Sequence, residues 1–188
     1  MKRIAIFASG SGTNAENIIR FFAESRQIVI DSLWSNNENA GALLRAEKLG
    51  IDALTFGKDE FYSGDVAEAL ADRKIDLVVL AGFLWLAPPS ITCNFVTINI
   101  HPALLPKYGG KGMYGHHVHE AVLRNGDTES GITIHYVNDE YDSGDIIFQA
   151  RCNVATDDTA DSLAAKVHLL EYEHFPRIIA DVLLNDAE

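Results

Sequence analysis

The stretch "VTINIHPALLPKYGGKGMYGHH" (Val96–His117) sets two polar side chains, Asn99 and His101, into the end of an apolar run. They flank Ile100, and the alternation of a strand directs both to one face. In open α/β sheets the carboxyl end of a strand is where ligands bind. An Asn amide offers an uncharged N–H donor, and a His donates as a cation and moves protons near neutral pH, so the pair is suited to holding an oxyanion. A plainer reading has Asn99 capping a turn and His101 merely preceding Pro102. Further on, "NDEYDSGD" (Asn138–Asp145) gathers Asp139, Glu140, Asp142 and Asp145 in one turn. By composition this is a solvated acidic loop. A carboxylate brought beside His101 would raise its pKa and orient it, and spacing does not say which acid does so.

A second chemical stretch is "FASGSGTNAEN" (Phe7–Asn17), where Gly10, Gly12 and Ala15 have the spacing of a dinucleotide fingerprint. The loop follows an apolar strand and opens a helix, so its glycines permit a tight turn and the free N–H groups of the helix start face an anion. An NAD site also needs an acid at the end of the second strand. That strand ends "WSNNENA", with Asn36 and Asn37 where the acid should stand. NAD is therefore not expected, a single phosphate is, and the absence of GK[ST] after Gly12 excludes a Walker loop. A turn that binds nothing is the plainer alternative.

The elements that must position these residues alternate in type. Strands are expected at Arg3–Ala8, Ile28–Trp34, Asp52–Phe56, Asp76–Ala81 and Phe95–Ile100, with helical periods at Asn14–Ser25, Ala40–Leu49 and Glu60–Lys74. This order implies a Rossmann-like α/β fold, a mostly parallel sheet with helices on both faces. After residue 126, "SGITIHYV" and "DIIFQARCNV" read as an antiparallel hairpin across the acidic turn. A long last helix runs from about Thr159 to Leu184, with Asp158 and Thr159 as cap candidates.

With 188 residues and 47% hydrophobic content, the chain can bury one core, and a single domain over 1–188 is expected. The formal charge of -12, from 27 acids against 15 bases, offers no general field to nucleic acid or an anionic membrane. An anionic small ligand would need a local pocket. Cys93 and Cys152 have no metal-like spacing, "MKRIAIFASG" turns glycine-rich before a secretory core could form, and no apolar run is long enough to span a bilayer. A cytoplasmic protein without membrane or nucleic-acid partners is expected, as monomer or homodimer.

Taken together, "FASGSGTN", "DLVVLAGFLWLAP", "INIHPALLPKY" and "HYVNDEYDSGDII" resemble, in order and over nearly the whole chain, the motifs of the folate-dependent formyltransferase family on its phosphoribosylglycinamide branch. The resemblance implies formyl transfer from 10-formyltetrahydrofolate, as co-substrate, to the glycyl amine of glycinamide ribonucleotide in purine biosynthesis, by direct amine attack without metal or nicotinamide. It casts Asn99, His101 and Asp142 as the catalytic set. Gly12, Thr13 and Asn14 would cradle the 5′-phosphate, and His168 and Glu171 would contact the ribose. Folate would lie against Phe83, Leu84, Trp85, Leu86 and Ala87, against Asn99, and against Asn138, Asp139, Glu140, Tyr141 and Asp142. Core packing is the plainer role for Phe83, Leu84 and Leu86.

Three departures stand out. The family's "FMRIL" is here "FLWLA", placing Trp85 where an arginine is usual, and Gly64 stands where relatives often carry an arginine. The loop after "LLPKY" is rich in Gly and His. His116, His117 and His119 lack a third ligand of clear spacing for a metal, and Lys107 and Lys111 could give local positive charge to an anion. Within the same chemistry, a sugar-nucleotide acceptor, methionyl-tRNA or hydrolysis of the formylfolate compete. The tRNA enzyme's added C-terminal domain and the hydrolase's added N-terminal one do not fit this length, and a sugar-nucleotide enzyme would lack this phosphate loop. A non-catalytic Rossmann-like binding module is the alternative outside enzymes, against which the intact Asn99, His101 and Asp142 argue.

Overall fold

The computed structural model describes residues 1–185. Its strands are β1 (Lys2–Phe7), β2 (Ile28–Ser35), β3 (Asp52–Thr55), β4 (Leu77–Leu80), β5 (Val96–His101), β6 (Glu129–Tyr136) and β7 (Ile146–Asn153). Its helices are α1 (Thr13–Phe22), α2 (Gly41–Lys48), α3 (Lys58–Ser63), α4 (Asp65–Asp72), α5 (Pro89–Thr92), α6 (His116–Asn125) and α7 (Ala160–Asn185). One sheet runs in the order β3-β2-β1-β4-β5-β6-β7. The first five strands are parallel to one another, and β6 and β7 add an antiparallel edge beside β5.

Both faces of the central strands are covered, which is why "RIAIF" and "LVVL" are almost wholly apolar. Ile4 and Ile6 join a core shared with α1, α2 and α7, while Ala5 and Phe7 pack on the other face with Phe61, Val66 and Leu70 of α3 and α4. Periodicity predicts one helix over Glu60–Lys74, and the structure divides it. Gly64 adopts φ 109°, a left-handed conformation that ends α3 and restarts the chain as α4. The short α5 has no counterpart among the expected elements.

The last helix is capped by Thr159, whose Oγ1 accepts from the Ser162 N–H (3.2 Å) while its own N–H donates to Ser162 Oγ (2.9 Å). Asp158 instead holds the preceding turn through the Ala155 N–H and Lys166. Pro176 lies inside α7 and has no N–H to give the carbonyl four residues back, that of Tyr172. Asn17 on α1 fills the vacancy, its Nδ2 donating to Tyr172 O at 3.0 Å. An interior proline thereby becomes a docking point between α1 and α7, one turn from Asn14 and Glu171.

Candidate functional site

Strand order reverses between β1 and β4, so the loops leaving their carboxyl ends diverge and open a crevice. Gly12, at φ 77°, turns the first loop into α1, and a Cβ there would sit 2.4 Å from Ala42 Cα. The helix has no side-chain cap, and its first backbone bond is Glu16 N–H to Gly12 O (2.9 Å). The N–H groups of Thr13, Asn14 and Ala15 thus lie in the turn where a helix offers no acceptor of its own. Asn36 and Asn37 have a definite task here: Ser9 Oγ donates to Asn36 Oδ1 (2.7 Å) and Asn37 Nδ2 donates to Ser9 O (3.3 Å). They brace the loop, where an NAD enzyme would place its ribose-binding acid.

Across the loop, Glu171 Oε2 accepts from Asn14 Nδ2 (2.8 Å) and contacts His168 Nδ1 (2.7 Å). The hydrogen bond to this carboxylate raises the His168 pKa above its ordinary value, against the effect of burial. Because Asn14 gives its Nδ2 to Glu171, its enclosed Oδ1 is left without a partner. In this geometry an anion at the loop meets backbone N–H groups, and the Asn14 side chain presents an acceptor.

Asn99 and His101 stand at the end of β5, and the acid that reaches them is Asp142. Asp139, Glu140 and Asp145 are exposed. Asp142 turns inward at φ 54°, a conformation rare for a non-glycine residue, and its Oδ2 accepts from the Gly110 N–H at 2.9 Å. Gly109 permits the approach: a Cβ there would lie 2.6 Å from Leu105 Cδ2 and 3.2 Å from Asp142 Cβ. His101 Nε2 lies 2.7 Å from Tyr108 O, an acceptor only, so Nε2 carries the proton and Nδ1 faces Asp142 Oδ2 at 3.5 Å. Tyr108 is held in turn by its hydroxyl donating to Asp127 (2.9 Å).

A carboxylate neighbour is expected to raise His101, and the net direction is the opposite. Burial, with only 3% of the residue exposed, pushes its pKa down and outweighs the upward pull of Asp142 and of the Tyr108 carbonyl. Burial also pushes Asp142 up, but the His135 bond, the His101 charge and the Gly110 N–H together hold it below the usual carboxylate range. The resting pair is an uncharged imidazole beside a carboxylate.

His135 is the residue that the sequence reading missed. It pairs with Asn99 across β5 and β6 and is buried. Its Nδ1 faces Tyr136 O (2.8 Å), and its Nε2 lies 3.0 Å from Asn99 Nδ2 and 3.6 Å from Asp142 Oδ1. Beside a carbonyl, Nδ1 is a donor, and Nε2 lies between the Asn99 amide and the Asp142 carboxylate. The available signal was its place two residues before "VNDEYD" on a strand that must pair with "INIH", and no rule of spacing reveals that register.

Asn99, His101 and Asp142, but not His135, line a cavity of about 630 Å³ that also includes Gly10, Gly12, Phe83, Leu84, Tyr141 and Glu171, a size suited to small ligands. Thr13, Asn14 and His168 reach it too, whereas Trp85, Leu86, Ala87, Asn138, Asp139 and Glu140 are not among its lining residues. Trp85 instead packs edge-on to Phe56 (6.1 Å between ring centres) and nearly parallel to Tyr62 (6.4 Å). Asn138 Oδ1 organises its own loop by accepting from the Glu140 N–H and Ser143 Oγ, both at 3.0 Å. Lys107 is tied to Asp127 (3.2 Å), while Lys111 lines the cavity. The three loop histidines diverge: His116 pairs with Asp161 (3.2 Å), His117 lies 3.9 Å from Glu120, and His119 is buried at the cavity wall.

Residues 2–179 match the family described as formyl transferase. The chain belongs to this family. Among relatives of this formyl transferase, the phosphoribosylglycinamide formyltransferase of Haemophilus influenzae is 34% identical over 190 residues, 95% of this chain and 86% of the relative. The chloroplastic enzyme of that name from Arabidopsis thaliana is 36% identical over 192 residues, and the chain spans 65% of its length. A crystal structure of the Bacillus halodurans phosphoribosylglycinamide formyltransferase superposes with a TM-score of 0.87 at 32% identity, over 97% of this chain and 96% of that one. Among the described residues no helix is long and apolar enough to cross a membrane.

Proposed function

We propose that this formyl transferase moves the formyl group of 10-formyltetrahydrofolate to the glycyl amine of glycinamide ribonucleotide, a step of purine biosynthesis. The observation that carries the reading is the meeting of Asn99, His101 and Asp142 in the same cavity as the uncapped start of α1. One end suits a phosphate, and the other suits a carbonyl under attack by an amine.

The N–H groups of Gly12, Thr13 and Asn14 would hold the 5′-phosphate. Glu171, braced by Asn14 and His168, would accept from ribose hydroxyls, with Phe83, Leu84 and Tyr141 forming an apolar wall suited to the flat ring system of the folate. The folate supplies the formyl group when bound. As the amine attacks, uncharged His101 can take its proton at Nδ1, and the resulting imidazolium is held between the Asp142 carboxylate and the Tyr108 carbonyl. That cation and the Asn99 amide then face the oxygen on which charge develops. For Asn99 to donate there, its Nδ2 turns from His135 Nε2, 3.0 Å away, to the formyl oxygen. Asp142 accepts from Gly110 throughout and positions water for the proton's onward path to the departing nitrogen of the folate.

Spectroscopic measurement of 10-formyltetrahydrofolate consumption, with and without glycinamide ribonucleotide, tests the reading. Consumption that depends on the nucleotide is expected. Consumption only with another amine, or none at all, overturns it.

A further inference from the structure

His119 belongs to none of the groups assigned above, yet it is a polar side chain with 2% exposure in the wall of the cavity. Its Nδ1 is fully enclosed and has no hydrogen-bond partner. Such a group is costly to leave unmatched, and each instance in a folded protein calls for a reason. An enclosed N–H would lose its bond to water, so the proton sits on Nε2, the ring nitrogen that is not so enclosed. The groups acting on the ring are His168, Glu171, His116 and His101. Burial, reinforced by the neighbouring histidines and opposed by Glu171, pushes the His119 pKa down to about 4, so the ring is uncharged at neutral pH.

We propose that His119 is a substrate-binding residue whose Nε2–H donates to an uncharged oxygen of the nucleotide, the amide carbonyl between the ribose and the reacting amine. His119 lines the same cavity as His101, which marks the reacting end, and as His168 and Glu171, which mark the ribose end. The amide is the part of such a substrate that spans those ends. An uncharged donor matches an uncharged acceptor there, while the phosphate is met by the start of α1. This inference rests on the nucleotide reading above.

Three variants separate binding from packing. H119L removes both nitrogens, H119N keeps a donor near the enclosed Nδ1 position, and H119Q keeps one near Nε2. Calorimetric Kd values for glycinamide ribonucleotide and for ribose 5-phosphate are measured for each, alongside the thermal midpoint. H119L and H119N are expected to weaken the ribonucleotide about tenfold, the loss of one bond between uncharged groups. H119Q should stay within about threefold of wild type, ribose 5-phosphate should bind all forms alike, and H119L should melt no lower than wild type because a buried group without a partner is replaced by an apolar one. Unchanged ribonucleotide affinity in H119L, or equal loss of ribose 5-phosphate, overturns the role assigned to His119 alone. Wild-type protein that fails to bind the ribonucleotide overturns the functional reading and this inference with it.

Discussion

Asp142 shows at the scale of single residues how a site is selected from candidates that look alike. Four acids share one turn, and only the one with a left-handed backbone and a glycine opposite it reaches the histidine. His101→Ala is expected to lower kcat by on the order of 10²–10⁴, the usual worth of a positioned proton-transfer group, with the nucleotide Kd nearly unchanged in calorimetry. Loss of nucleotide binding would contradict the role. Substitution of Asn14 should do the reverse, raising the KM for the nucleotide through the loss of its brace on Glu171; an unaltered KM would contradict that role. Because burial lowers the His101 pKa and the base must be uncharged to accept, the acid limb of kcat/KM should lie below the ordinary histidine value of about 6.5. A limb above that value would show that another group governs the step.

Elements act through contacts that propensity does not foresee. Pro176 frees a carbonyl in α7, and Asn17 of α1 takes it, so a helix-breaking residue helps fix the distance between Asn14 and Glu171. Asn17→Leu should cost about 1–2 kcal/mol in urea unfolding, the effect of leaving a partly buried carbonyl unpaired, and should also weaken nucleotide binding through Glu171. A variant of wild-type stability would show that water serves Tyr172 O equally well. At the loop facing Asp142, a methyl on Gly109 would press on Leu105 and Asp142. Gly109→Ala is therefore expected to reduce kcat more than it reduces nucleotide affinity, and steady-state kinetics at saturating nucleotide would reveal it.

For the whole molecule, three histidines tie stability to pH. The folded-state pKa of His119 is depressed to about 4, so the unfolded chain binds the extra proton first. Its contribution to stability is present above about 6.5 and is lost as pH falls from there toward 4. His101 acts in the same direction. His168, with its pKa raised by Glu171, acts oppositely: its contribution is present below about 6.5 and is lost as pH rises through the raised folded value. H119L should flatten the fall in denaturant midpoint between pH 6.5 and pH 4.5, and an identical pH profile in both proteins would contradict the burial of an uncharged ring.

The sequence by itself determined the order of the strands and the places of α1, α2 and α7, because apolar runs of period two and stripes near 3.6 record which faces are covered. It also determined that the first loop is a glycine-rich turn into a helix without the acid of a dinucleotide site, since both properties reside in local residue types. Asn99 and His101 were legible because two residues apart on one strand means one face. The tertiary structure alone decided the rest. Which acid meets His101 depends on the backbone turn at Asp142 and on its close approach to Gly109, and His135 joins Asn99 only through strand register. The upward pull of a carboxylate on His101 was legible from sequence but the net direction was not, because a neighbouring charge can be guessed from composition, whereas desolvation is a property of the closed fold.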